Sequence, residues 1–345
     1  HESEGYEMGD YAGMTGLEKN YEAVLMGQRG VKRFLRDNKG KIQGAYEKGE
    51  FDTTAIAGKN LYTSVDVQVQ QLAEKLLQNK IGSAVAINPK TGGVIAMAAS
   101  PGYNPNLLTG SKRRKTIGRL LLDTARPLYN RAIKGQYPPG STFKPLGALI
   151  ALDEGLITPN YGYNCFGSYG ACGDPRKCEH HNAGHGANLQ LALAYSCNSY
   201  FLQVFRMAID NPKYKSAKAG YVKWKEYMNA FGFGRKLGVD LPSENKANIP
   251  DTSQYNKDFG NPKYWNSCYM LTLGIGQDRM TATPLQLANS MAFIANEGYY
   301  YTPHFVDSIE SETEDEAAQL APFRTKQKVT KIPKEYFDVI KEGMH

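Results

Sequence analysis

Apolar residues along the chain recur with a helical period in some stretches and cluster in short runs bounded by glycine and proline in others. From Thr63 a helix is expected, with Ser64 and Asp66 as caps and Val69, Leu72, Ala73, Leu76 and Leu77 as its buried face. The runs Ala84–Ile87 and Val94–Met97 flank Asn88-Pro89-Lys90-Thr91-Gly92-Gly93, so the pair reads as a β-hairpin around a turn. Residues 104–126 read as a polar, basic loop. Phe143, Leu146, Leu149, Ile150 and Leu152 make a helical apolar stripe that Gly155 stops. Further helices are expected at Asn188–Tyr195, with Asn188 as cap, at Tyr221–Phe231, and at Thr283–Asn296 with Pro284 in its first turn. Ser311–Glu316 reads as an acidic, solvated loop. Helices mixed with one early hairpin predict an α+β fold built on an antiparallel sheet.

A chain of 345 residues holds one large domain and a small one, and 41% hydrophobic with 11% aromatic residues suits a packed core and excludes a disordered chain. Residues 1–58 are polar with few apolar runs, which sets them apart from the remainder of the chain. No run approaches the roughly eighteen apolar residues that span a bilayer, and the start is not a signal peptide. The net charge of +7 is moderate and favours anionic surfaces or substrates. Lys112-Arg113-Arg114-Lys115 is the one dense basic cluster. It lacks aromatic interleaving or zinc-finger spacing, so nucleic acid is not expected as a partner. It reads as a solvated loop or as a contact for a glycan, a lipid or a partner.

The candidate chemistry centres on Ser141-Thr142-Phe143-Lys144, preceded by Tyr137-Pro138-Pro139-Gly140. The spacing puts a hydroxyl and an amine on one helical face, about one turn apart. A serine hydroxyl needs a base to become a nucleophile, and a lysine serves when its surroundings disfavour its charge. Alone, Ser-x-x-Lys is equally a capping serine and a solvated lysine; here the lysine opens an apolar helix. A second polar triplet, Ser196-Cys197-Asn198, sits between two apolar stretches and must find partners or line a cleft. It supplies a second hydroxyl and an amide.

Together these segments resemble the penicillin-binding proteins, specifically the class B transpeptidases. Arg126-Pro127-Leu128-Tyr129-Asn130-Arg131-Ala132-Ile133 leading to the Ser141 motif resembles the family's approach to its nucleophile. So do Gly274-Ile275-Gly276-Gln277 and Thr283-Pro284-Leu285-Gln286-Leu287-Ala288 for the segment after Ser-x-Asn. Asn88-Pro89-Lys90-Thr91-Gly92 and Ser100-Pro101-Gly102-Tyr103-Asn104-Pro105 resemble its opening strands, and Gly16–Glu22 resembles part of the preceding region. Segment order favours the elongation-type enzymes over the division-type.

The resemblance implies a serine transpeptidase fold over residues 59–345 and the remnant of a non-catalytic pedestal over residues 1–58. It implies peptidoglycan crosslinking by D,D-transpeptidation. Ser141 would attack a D-alanyl-D-alanine stem peptide, Lys144 would take its proton, Ser196 would pass a proton to the leaving D-alanine, and Asn198 would hold the substrate amide. β-Lactams would be trapped at the acyl stage. No cofactor is required for this chemistry. A membrane glycan polymerase of the rod-shape system is the implied partner, and the bacterial periplasm, with an inner-membrane anchor in the full-length protein, is the implied location. The alternatives are a D,D-carboxypeptidase or β-lactamase-type hydrolase using the same serine, and a non-catalytic penicillin-binding scaffold or sensor. The family's third motif, Lys-(Thr/Ser)-Gly, follows its Ser-x-Asn. The triplet here, Lys90-Thr91-Gly92, precedes the nucleophile and is assigned to the hairpin turn. The expectation is that the C-terminal part of the catalytic domain lies beyond these residues and that the fragment turns over poorly.

Cys165, Cys172 and Cys178 lie close in sequence to His180, His181 and His185. Four nitrogen and sulfur ligands of this kind suit a tetrahedral structural zinc, although the spacing matches no standard finger. A disulfide with one thiol left over is the other reading, and neither is the third. Some elongation-type relatives carry a metal in this insert, which favours zinc. Cys197 is a packed small hydrophobe or a further ligand.

Overall fold

A computed structural model of the chain describes residues 6, 12–110, 113–179, 184–260, 266–328 and 332–345. The helix Lys144–Asp153 runs through the centre, with Leu146, Ala148, Leu149, Ile150, Ala151 and Leu152 all buried. It packs against Asn198–Ile209, which in turn lies along the 3-10 stretch Ser267–Ile275. The C-terminal helix Lys334–Met344 covers Leu189–Ala194 and the central helix. Trp224, from Ala217–Ala230, locks these layers edge-on, with its ring 6.0 Å from Phe143 and 5.5 Å from Phe205. Each such aromatic pair adds about 0.5–1.5 kcal/mol beyond burial.

The hairpin forms where expected, Gly82–Ile87 pairing antiparallel with Val94–Ser100 in a register that sets Ala84 opposite Ala98. Lys90-Thr91-Gly92 is its turn, with Gly92 at φ +85°, a conformation only glycine adopts cheaply. The remaining antiparallel pairings are short two-stranded ladders among the described residues. One of them, Leu61–Thr63 with Val306–Ile309, ties the N-terminal region to the late part of the chain. The same junction holds a small separate core of Tyr21, Val306, Ile309, Leu320 and Phe323. Within it the buried Asp240 carboxylate accepts from the Tyr21 hydroxyl (3.1 Å) and from the amides of Phe305 (2.8 Å) and Val306 (2.9 Å).

Several boundaries differ from expectation. The first helix starts at Val67, because Leu61–Thr63 is already a strand. Asp66 caps it, accepting from Gln68 and Val69 amides, whereas the Ser64 hydroxyl donates to the Val94 carbonyl instead. Its expected buried face is not buried: Val69, Leu72 and Leu76 are 37%, 54% and 62% exposed. Among the described elements only the strand Val94–Ser100 lies substantially against it. Residues 104–126 are no plain loop, containing the 3-10 turn Pro105–Leu108 and the helix Arg113–Leu122. Residues 311–316 end in a helix start, where Thr313 and Glu316 form a reciprocal cap for Glu314–Arg324. No helix among the described residues is long and apolar enough to cross a membrane.

Candidate active site

Ser141 sits in a 3-10 turn, Gly140–Phe143, that feeds directly into the helix opened by Lys144. Gly140 takes φ +59°, and its amide donates to the Gly276 carbonyl (2.8 Å). Gly276 is itself left-handed at φ +67°, and a Cβ there would lie 2.3 Å from the Gly140 carbonyl oxygen. Two backbones meet with no room for a side chain, which fixes the turn that presents Ser141. Paired hydrogen bonds between Tyr137 and Ala282 (3.0 and 2.8 Å) and the bond from Thr142 Oγ1 to the Pro139 carbonyl (2.6 Å) hold its two ends.

Lys144 is 1% exposed. Its Nζ donates to the Ser196 carbonyl (2.6 Å), Ser196 Oγ (2.8 Å) and Asn198 Oδ1 (2.7 Å). Burial holds its amine below the usual lysine value, at about 8, while Cys178, Cys197 and Glu179 act the other way. At pH 7 about a tenth of such a lysine is neutral and able to accept a proton. Ser196 Oγ donates onward to Ser141 Oγ at 2.9 Å. Ser196 itself is strained into φ +51° between the helices Leu189–Ala194 and Asn198–Ile209. That left-handed kink aims its hydroxyl at both partners. Asn198 Nδ2 donates to the Lys177 carbonyl (3.3 Å), so one amide links the lysine to the insert.

The four residues singled out in the sequence thus converge. One detail of the expected arrangement changes. Among the described residues no direct hydrogen bond joins Lys144 to Ser141; the Ser196 hydroxyl lies between them.

The cysteines divide. Cys172 is bonded to Cys268, 96 residues away, and so leaves the metal candidates; the disulfide runs out of the 165–185 segment, not within it. Cys268 carried no sequence signal, since nothing in its spacing links it to Cys172. Cys165, Cys178, His185 and Cys197 are all buried, and their ligand atoms lie within 4.8 Å of one another. His180 and His181 lie outside the described residues. Three sulfurs and one imidazole nitrogen at this spread fit a four-coordinate zinc, whose Zn–S bonds are about 2.3 Å. The cluster also adjoins the group of Ser141, Lys144, Ser196 and Asn198, because Cys197 is the middle residue of Ser196-Cys197-Asn198 and caps Asn198–Ile209 through Tyr200 N (3.4 Å).

Comparison with known proteins agrees with this geometry. The family described as Penicillin binding protein transpeptidase domain matches residues 82–345, and the Penicillin-binding Protein dimerisation domain matches residues 1–63. The chain is 34% identical over 301 residues to the peptidoglycan D,D-transpeptidase MrdA of Haemophilus influenzae, which covers 86% of the chain and 44% of that relative. A crystal structure of Pseudomonas aeruginosa PBP2 in complex with WCK 5153 superposes with TM-score 0.74 at 30% identity, covering 96% of the chain and 66% of that protein. A chain from a peptidoglycan synthase complex that coordinates polymerization and crosslinking superposes with TM-score 0.80 at 25% identity, covering 99% and 57%. The chain spans about half the length of the curated relatives it matches. With the Ser141 turn, a buried lysine and a Ser-x-Asn in contact, and a family match over most of its residues, the chain belongs to the penicillin-binding protein transpeptidase domain family.

Proposed function

We propose that the chain carries the acylating half of a peptidoglycan D,D-transpeptidase of the elongation type. The observation that carries this is the continuous path Ser141 Oγ–Ser196 Oγ–Lys144 Nζ, with contacts of 2.9 and 2.8 Å. A neutral Lys144 takes the Ser196 proton as Ser196 takes that of Ser141, and Ser141 Oγ bonds to the carbonyl carbon of the penultimate D-alanine. As the tetrahedral adduct collapses, the C–N bond to the terminal D-alanine breaks. The proton returns through Ser196 to the leaving amine. An acceptor amine then attacks the ester, releasing Ser141 and closing the crosslink. β-Lactams enter by the same first step and keep their leaving group tethered. The finer assignments, a glycan polymerase partner and a periplasmic, membrane-anchored setting, draw support from the relatives' names and from the synthase complex.

We also propose a structural zinc held by Cys165, Cys178, His185 and Cys197. Such an ion supplies cross-linking, tying the insert to the middle of Ser-x-Asn; the protein residues do the acyl transfer. The function is tested by intact mass and peptide mapping after incubation with benzylpenicillin. A single adduct on Ser141 is expected, and an adduct elsewhere, or none on a full-length protein, overturns the reading.

A further inference from the structure

Eight of the 41 basic side chains, but only one of the 34 acidic ones, fall in residues 101–140, so this segment carries the entire formal excess of +7 and the rest of the chain is neutral. The charge is concentrated on a discrete projection. The helix Arg113–Leu122 has no buried residue and packs chiefly on the 3-10 turn Pro105–Leu108. Arg113, Arg114, Lys115, Arg119 and Arg126 are exposed and form no ion pair among the described residues. Elsewhere basic side chains do find carboxylates, as Lys59 does with Glu316 and Lys341 with Glu297. Five neighbouring cations with Asp123 as their one carboxylate in the segment, and no ion pair to it among the described residues, repel one another, and an external polyanion relieves that repulsion. The projection is also anchored. The buried Arg131 guanidinium, ten positions before Ser141 in the sequence, donates to the carbonyls of Ala125 (2.6 Å) and Arg126 (3.2 Å) and so grips its C-terminal end.

We propose that this basic projection is a docking surface for an uncrosslinked peptidoglycan strand, bound through the free terminal carboxylates of successive stem peptides. The inference rests on the transpeptidase reading, which makes such strands the substrate. Each uncrosslinked stem ends in a carboxylate, so a strand bearing several is a flexible polyanion that complements the projection. The surface raises the local concentration of stems near Ser141 without taking part in the reaction. An anionic lipid surface fits less well. At 100° per residue Arg113, Ile117, Leu120 and Leu121 share one side of the helix, while Lys115, Arg119 and Leu122 share the other. The apolar side made by Ile117, Leu120 and Leu121 is short and shared with Arg113, and Leu122 lies among the cations, which leaves little apolar area to bury among headgroups.

The test titrates the chain with soluble uncrosslinked glycan strands carrying D-alanyl-D-alanine stems, with the same strands after amidation of their carboxylates, and with vesicles containing phosphatidylglycerol. The natural chain is expected to bind the untreated strands and to lose at least tenfold in affinity between about 0.02 M and about 0.5 M salt. The variant R113E/R114E/K115E/R119E is expected to lose at least tenfold at low salt, and the corresponding glutamine variant to fall between. Equal binding by the charge-reversed chain, equal binding of amidated strands, or selection of vesicles over strands overturns the proposal. Fluorescent-penicillin labelling of Ser141, measured in the same samples, reports the reaction separately. Labelling preserved in the variant shows an intact fold, whereas strand binding without any labelling counts against the acyl-transfer reading alone.

Discussion

Lys144 reaches Ser141 through Ser196, its Nζ 2.8 Å from the Ser196 hydroxyl and that hydroxyl 2.9 Å from Ser141 Oγ. Two motifs whose serine and lysine stand 52 positions apart are thereby joined in one hydrogen-bonded chain, the path that the proposed proton transfer uses.

Ser196→Ala should consequently be nearly as damaging as Lys144→Ala. Each is expected to slow acylation by about 10²–10⁴-fold, the range for loss of positioned acid–base help. Because the two act in series, the double variant should be little worse than either single one. Stopped-flow acylation by a fluorescent penicillin checks this. A Ser196→Ala chain that keeps the natural rate would show that Lys144 acts on Ser141 directly.

The pH dependence has its origin in the same burial. Lys144 must be neutral to accept a proton, and its value is lowered to about 8. The acylation rate constant should climb roughly tenfold per pH unit below 8 and level off above it. A profile flat from pH 6 to pH 9 would remove Lys144 as the base.

Freshly purified chain should contain one zinc. Cys178→Ser and Cys197→Ser should each lose it and lower the melting temperature, because a structural metal contributes folding free energy that vanishes with its ligand set. Cys197→Ser should also slow acylation, since Cys197 lies between Ser196 and Asn198. Elemental analysis and calorimetry measure both effects. Metal-free protein that melts no lower than metal-loaded protein would overturn the assignment.

The Cys172–Cys268 disulfide closes a loop with a sequence separation of 96. Removing it as Cys172→Ala/Cys268→Ala should cost about 2–4 kcal/mol in denaturant unfolding, largely by freeing the unfolded chain. An unchanged midpoint would mean that the unfolded state is already constrained at this point.

The local signals were legible in the sequence: the hairpin and its Asn88–Gly93 turn, the apolar stripe behind Ser141, the cap at Asn188, and the helix start with Pro284 in its first turn. Each depends on residues within one or two turns of one another, where periodicity and capping chemistry act. The chemical identity of Ser141, Lys144, Ser196 and Asn198 was equally visible, and so was the family they belong to. What folding alone decided is everything that joins distant residues. It placed Ser196 between Lys144 and Ser141, brought Gly276 against Gly140 where no side chain fits, drew Cys197 into the cluster with Cys165, Cys178 and His185, and sent Cys172 to Cys268. It also left Val69, Leu72 and Leu76 exposed although their spacing is that of a buried face. Periodicity states which residues share a side of a helix; only the packing of other elements against that side determines whether water is removed from it.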